Sequence, residues 1–178
     1  QFGKDIEQVL IANNKEAPLE IRVNTLKINR DDLIKRFEEK GIKAYKCMYA
    51  HKGLVIENPF EIDRTEEYKS GLFSIQSESS MLAGQILNPR EGSFIIDMCA
   101  APGGKTLNAA ELMNNTGKII SRDIYKGKLK LIENELKRLD INSVKTEEYD
   151  ATKLDESLIG KADYVIADVP CTGLGIIR

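Results

Sequence analysis

Ten consecutive residues, Asp97-Met98-Cys99-Ala100-Ala101-Pro102-Gly103-Gly104-Lys105-Thr106, combine an acid, a thiol, a Pro/Gly turn and a lysine. They follow the apolar run Phe94-Ile95-Ile96 and open a helical pattern from about Lys105 to Met113. Small residues let a ligand approach the backbone, and the unpaired N–H groups of a helix start can bond to it. Two nucleotide motifs fail here. A P-loop needs glycine where Cys99 stands, and the fingerprint GxGxxG is absent. A tight βα turn that is merely rich in glycine is the plainer alternative, and a run of ten such residues in this context speaks against it.

Three acids follow at the ends of later strand-like runs. Asp123 can accept hydrogen bonds from both ribose hydroxyls of a nucleoside ligand. It also suits a helix N-cap. Asp150, past the third run, could meet an adenine amino group, although taken alone it reads as a surface loop acid. Asp168-Val169-Pro170-Cys171-Thr172-Gly173 follows the fourth run. The chemistry that wants a thiol there is pyrimidine methylation. Carbon-5 of cytosine is a poor nucleophile, and a thiolate adding to carbon-6 makes an enamine-like intermediate that takes a methyl group at carbon-5. A base then removes the carbon-5 proton and the thiolate leaves. An acid near the ring nitrogen holds the base and absorbs charge. A free cysteine is otherwise most often a small buried hydrophobe, which is the reading for Cys47.

The elements that must position these residues fall into two groups. Glu20–Thr25 alternates polar and apolar residues as a half-buried strand does. Asn29 is placed to cap a helix carrying Leu33, Ile34 and Phe37 on one face, with Gly41 as its stop. Ile42–Lys46 and Gly53–Ile56 are short strands. This first group, residues 1–70, predicts a small α+β subdomain of ferredoxin-like or RNA-recognition-like type, without the aromatic RNA-stacking signature. Gly71–Gln76 reads as a link. The second group, residues 71–178, predicts a helix over Ser79–Leu87 and strands at Phe94–Ile96, Lys118–Ser121, Ser143–Glu147 (weak) and Tyr164–Ala167. Between them an amphipathic helix spans Lys126–Leu139, with Leu129, Ile132, Leu136 and Leu139 in register. Strands alternating with helices predict parallel βαβ units in a Rossmann-like, doubly wound α/β sheet, with ligands beyond the strands' carboxyl ends. Such a sheet normally has six or seven strands, so four give the expectation of a sheet truncated after its fourth strand.

Composition narrows the setting. Hydrophobic residues make up 42% and charged residues 30% of the 178, the profile of a globular chain. No apolar run is long enough to span a membrane, and the first residues lack a signal peptide's apolar core. Three cysteines without CxxC spacing, and a single histidine (His51, read as a loop residue), predict no disulfide framework and no metal site, and fit a reducing, cytoplasmic setting. Ile21–Lys52 holds nine Lys and Arg against four Asp and Glu, a modest basic stretch that could follow phosphates or be an ordinary solvated surface.

From about Pro18 to Arg178 the chain resembles the Sun/Fmu-type RNA (cytosine-5) methyltransferases, which include bacterial small-subunit rRNA enzymes. Pro18–Lys27 resembles that family's N-terminal RNA-binding subdomain, Asp97–Thr106 its methyl-donor motif, and Asp168–Gly173 with Gly175–Arg178 its fourth motif. The resemblance implies S-adenosylmethionine as cofactor and RNA, rRNA in particular, as partner, and leaves the oligomeric state open. Cys99, Ala100, Ala101, Pro102, Gly103, Gly104 and Lys105 would hold the methionine part, Asp123 the ribose, and Asp150 would lie near the adenine. Asp168 would lie between cofactor and cytosine, with Lys105 orienting the base. Cys171 resembles the cysteine that assists product release. The attacking cysteine of the family sits in a later Thr-Cys motif, and no residue here matches it. The expectation is therefore a fragment that by itself binds cofactor poorly and does not methylate. An alternative is a catalytically inactive RNA- or cofactor-binding module of the same fold. An amino-methyltransferase is disfavoured, because Asp168-Val169-Pro170-Cys171 lacks the Pro-Pro-aromatic sequence of those enzymes.

Overall fold

The computed structural model describes residues 3–14, 18–57 and 61–170. Helix α1 (Ile6–Asn13) comes first. In strand β1 (Leu19–Val23) the alternation puts Leu19, Ile21 and Val23 on one face. Helix α2 (Arg30–Glu38) covers that face with Leu33 and Phe37 fully buried. It starts as predicted, since the Asn29 side chain accepts from the Asp32 N–H. Strands β2 (Ala44–Lys46) and β3 (Gly53–Ile56) form an antiparallel hairpin, and β3 pairs antiparallel with β1. Helix α3 (Glu66–Lys69), capped by Thr65, leads to β4 (Phe73–Ile75), antiparallel on the other side of β1. The order is β2-β3-β1-β4. Gly71–Gln76, read as a link, thus contributes a strand, and the first sheet continues past residue 70. Three residues are too few for alternation to show in the sequence.

The second sheet is wholly parallel. Helix α4 (Glu78–Leu87), capped by Ser77, precedes β5 (Phe94–Asp97). Then follow α5 (Gly104–Leu112), β6 (Lys118–Asp123), α6 (Lys126–Leu139), β7 (Val144–Glu148) and β8 (Tyr164–Ile166). The order is β7-β6-β5-β8. The chain steps outward from β5 to β7 and then returns to β8 on the far side of β5, so the strand order reverses between β5 and β8. Ligands of open α/β sheets bind beyond the carboxyl ends at such a switch point. Helices α5 and α6 cover one face, where Ile95 and Ile119 meet Leu107, Ala110, Ile132 and Leu139. Burying the α6 stripe of Leu129, Ile132, Leu136 and Leu139 holds that helix down, since each fully buried side chain contributes about 1.5–3 kcal/mol. No helix among the described residues is long and apolar enough to cross a membrane.

The two sheets meet through polar side chains. Asn24 Nδ2 donates to the carbonyls of Gly71 (2.9 Å) and Leu139 (3.1 Å). Arg138 stacks on Tyr68, its guanidinium carbon 3.8 Å from the ring centre, and donates to the carbonyls of Tyr68 and Phe73. Arg22 of β1 pairs with Glu111 of α5, both fully buried. The seam therefore fixes both the end of α6 and the body of α5 to the first sheet.

Candidate active site

A cleft of about 320 Å³ opens at the switch point between β5 and β8. Its walls include Gln76, Asp97, Cys99, Gly104, Lys105 and Asp168. A hollow of about 400 Å³ lies on the sheet face opposite α5 and α6, among Ile96, Leu154, Ile159 and Val165. Its walls are mainly apolar but include Arg122 and Asp155, which pair with each other, whereas the first cleft brings the acids Asp97 and Asp168 together with a lysine and a helix N-terminus.

The loop from β5 to α5 is shaped by two glycines. Gly103 caps α5 at φ +107°, and a Cβ there would stand 3.2 Å from Ile132. A Cβ on Gly104 would stand 3.1 Å from Gln76 Nε2. The backbone can thus come close to a ligand, and the first N–H groups of α5 have no partner inside the helix. Cys99, Ala100, Ala101, Pro102, Gly104 and Lys105 all line the cleft.

The acids divide by position. Asp97 is buried, and its Oδ2 accepts from Thr106 Oγ1 at 2.6 Å. Thr106 Oγ1 also lies 3.0 Å from Ser121 Oγ. Asp97 Oδ1 makes no hydrogen bond of normal geometry among the described residues, although the Cys99 N–H lies close enough to the carboxyl to act on its charge. Burial pushes this carboxyl up to about 6, against the lowering effect of the Thr106 hydroxyl, the Cys99 N–H and Lys105. Asp168 follows β8 and pairs with Lys105 Nζ at 2.5 Å. Asp123 is buried, its two oxygens accepting from the N–H groups of Ala101 (3.3 Å) and Tyr125 (3.0 Å). It braces the loop and forms a turn, and the N-cap position of α6 belongs to Tyr125. Asp150 is half-buried past β7. Its carboxyl accepts from Thr152 Oγ1 and N–H, which hold it below the usual carboxylate range. Neither Asp123 nor Asp150 is part of the cleft wall.

Of the cysteines, Cys47 is buried, which pushes its thiol up to about 11. The Cys99 thiol is also raised, first by burial and then by Asp123, Asp97 and Asp168. A thiol so placed is protonated at neutral pH and is a poor nucleophile. Cys171 lies outside the described residues. His51 is exposed on the turn between β2 and β3.

The sequence places Asp97 and Thr106 at the two ends of the loop motif without giving either a role, and it does not single out Gln76 or Arg22. Asp97 carried a usable signal, an acid directly after an apolar strand. Arg22 carried none, because its partner Glu111 lies 89 residues away.

Residues 84–178 match the family described as "16S rRNA methyltransferase RsmB/F", and residues 1–63 match "Methyltr_RsmF/B-like, ferredoxin-like domain". The chain is 37% identical over 159 residues to the "Probable ribosomal RNA small subunit methyltransferase B" of Bacillus subtilis, covering 89% of this chain and 35% of that protein. It is 41% identical over 133 residues to the tRNA (cytosine(72)-C(5))-methyltransferase of Pyrococcus horikoshii, covering 71% of this chain and 34% of that protein. The crystal structure of NSun6 from Pyrococcus horikoshii with SFG superposes with a TM-score of 0.86 at 26% identity, over 99% of this chain and 69% of that one. The chain thus spans about a third of the length of these two curated relatives. A ferredoxin-like first sheet, a Rossmann-like second sheet with its cleft at the switch point, and a match over more than half of the residues agree on one conclusion: the chain belongs to the 16S rRNA methyltransferase RsmB/F family.

Proposed function

We propose that the chain is the cofactor-binding part of an enzyme that methylates carbon-5 of cytosine in RNA, rRNA in particular, with S-adenosylmethionine as cofactor. One observation carries the cofactor assignment. Asp97 lines the same cleft as the open N-terminus of α5, and its buried Oδ1 makes no hydrogen bond among the described residues. An amino-acid group fits both, its ammonium on the carboxylate and its carboxylate on the N–H groups. The curated relatives named for methylation of ribosomal RNA or of cytosine carbon-5, and the neighbour solved with the S-adenosylmethionine analogue SFG, support the same reading.

Residues 1–70, together with β4 that completes their sheet, are assigned to RNA binding, and the remainder of residues 71–178 to the methyltransferase domain. Cys99–Lys105 hold the methionine part, Asp123 the ribose and Asp150 the adenine side. The cofactor supplies an electrophilic methyl group. Asp168, held by Lys105, is assigned to the cytosine ring nitrogen, where its carboxyl group would hold a proton that takes up the negative charge developing there as a thiolate adds to carbon-6. The attacking cysteine is assigned to the part of the relatives' length that this chain does not cover. Cys171 assists its departure, so Cys171→Ala should accumulate an RNA–protein adduct that survives denaturing electrophoresis. Absence of any adduct in an otherwise folded variant contradicts that role. The sparse cysteines fit a reducing setting, and we assign the protein to the cytoplasm on that ground.

Asp97 also sets a pH dependence. Its folded value, about 6, is raised above the ordinary 3.8, so folding favours its protonated form. Its contribution to apo stability is complete below about pH 4 and is lost as pH rises through about 6. The ammonium needs the ionised form. Cofactor affinity should therefore be highest at about pH 7, fall as pH drops through about 6, approaching tenfold per unit below it, and fall again above about pH 8 as the cofactor's own amino group loses its proton. Calorimetric titration across that range checks this, and a flat profile contradicts it.

The function is tested by deleting the gene and quantifying modified nucleosides site by site in rRNA. Loss of one 5-methylcytidine, restored by the gene, is expected. An unchanged 5-methylcytidine set contradicts the rRNA assignment.

A further inference from the structure

Gln76 lies between β4 and the Ser77 cap of α4. It is buried, and it lines the cleft beside Gly104, Lys105 and Asp168. On its other side is Arg22. Arg22 Nε and Nη2 each donate to a Glu111 oxygen at 3.0 Å. Its Nη1 donates to the Gly104 carbonyl at 3.0 Å and to Gln76 Oε1. A guanidinium has five N–H donors and no acceptor, so it selects the oxygen of the Gln76 amide and turns the NH2 away. That Nε2 stands beside Gly104, 3.1 Å from the place a Cβ would occupy. It has no acceptor among the described residues.

We infer that Arg22 presents the Gln76 NH2 to the cleft, and that this group recognises the carboxylate of the cofactor's methionine part. The inference rests on the proposed cofactor. The cleft offers two kinds of group for one amino-acid end. Asp97 Oδ1 is an acceptor that makes no hydrogen bond among the described residues. The first N–H groups of α5 and the Gln76 NH2 are hydrogen-bond donors. Arg22 does not line this cleft and acts as a positioning residue. By holding Gly104 and Gln76 together, it keeps the amide aimed at the loop that binds the ligand.

The test uses the protein at its natural length and compares S-adenosylmethionine with decarboxylated S-adenosylmethionine by calorimetry. The unmodified protein should prefer the carboxylated ligand by about tenfold or more, the effect of one hydrogen bond to a charged group. Gln76→Glu keeps the shape and the Arg22 contact but offers an anion where the NH2 stood. It should weaken S-adenosylmethionine about 10- to 100-fold and the decarboxylated ligand by less than about threefold. Arg22→Lys keeps the charge beside Glu111 but cannot fork to all four acceptors, so the preference should shrink there too. The side-chain NH2 signal of Gln76 in the NMR spectrum should shift with S-adenosylmethionine and not with the decarboxylated form. Equal weakening of both ligands by Gln76→Glu, or none, overturns the inference. If the unmodified protein binds both ligands equally, the cofactor stands and this inference falls. If it binds neither, the cofactor reading itself falls and the inference with it.

Discussion

Arg22→Met should destabilise the protein by about 3–5 kcal/mol, read from urea unfolding, because it strands Glu111 as an unpaired buried charge. Both side chains of the pair are fully inaccessible, so water cannot take over either role. A loss of that size is a large part of the roughly 5–15 kcal/mol that holds a domain folded. The double variant Arg22→Met/Glu111→Leu should recover most of the loss, since a buried ion pair exchanged for apolar side chains of similar volume is often neutral or stabilising. It should not recover cofactor affinity, because Gly104 and Gln76 still lose their common donor. A single variant as stable as the parent contradicts the buried pair. A double variant with normal affinity contradicts the link from the first sheet to the cleft.

Asp168→Asn should lower methyl transfer by about 10²- to 10⁴-fold while changing cofactor affinity by less than about threefold. Asp168 follows β8, the strand on the far side of the switch point, and its Oδ2 pairs with Lys105 from the first turn of α5. The side chain remains 59% exposed, open to a base that enters the cleft. Asparagine keeps the size and removes the carboxyl group that would hold a proton at the ring nitrogen and that pairs with Lys105. A comparable loss in cofactor affinity would instead assign Asp168 to holding the cofactor. Single-turnover rates with a saturating cofactor separate the two.

The parts of this molecule that depend on local order were legible in its residues. The α6 stripe is read directly from the spacing of Leu129, Ile132, Leu136 and Leu139, and the helix runs from Lys126 to Leu139 as predicted. Asn29 marks the start of α2, and the Asp97–Thr106 run marks the loop and α5. What depends on distant pairing was not legible. The three residues of β4 become a strand only because β1 offers an open edge. Arg22 occupies a polar position of an alternating strand and would be assigned to solvent, yet the second sheet buries it. Asp97 was read within a motif. Its orphaned oxygen exists because Thr106, in the first turn of α5, occupies only the other oxygen. The sequence places Asp123 at the end of β6 and Asp150 past β7. The structure gives Asp123 a bracing bond to Ala101 and turns Asp150 into its own loop at Thr152.

The most direct test of the account is a transfer assay. The protein at its natural length is incubated with rRNA and S-adenosylmethionine carrying a labelled methyl group. The RNA is then digested to nucleosides and resolved by mass spectrometry. The account predicts label in 5-methylcytidine, lost with Asp168→Asn. Label on an exocyclic amino group or a ribose, or no label while the protein binds both RNA and cofactor, contradicts it, and the last result makes the chain part of a binding module.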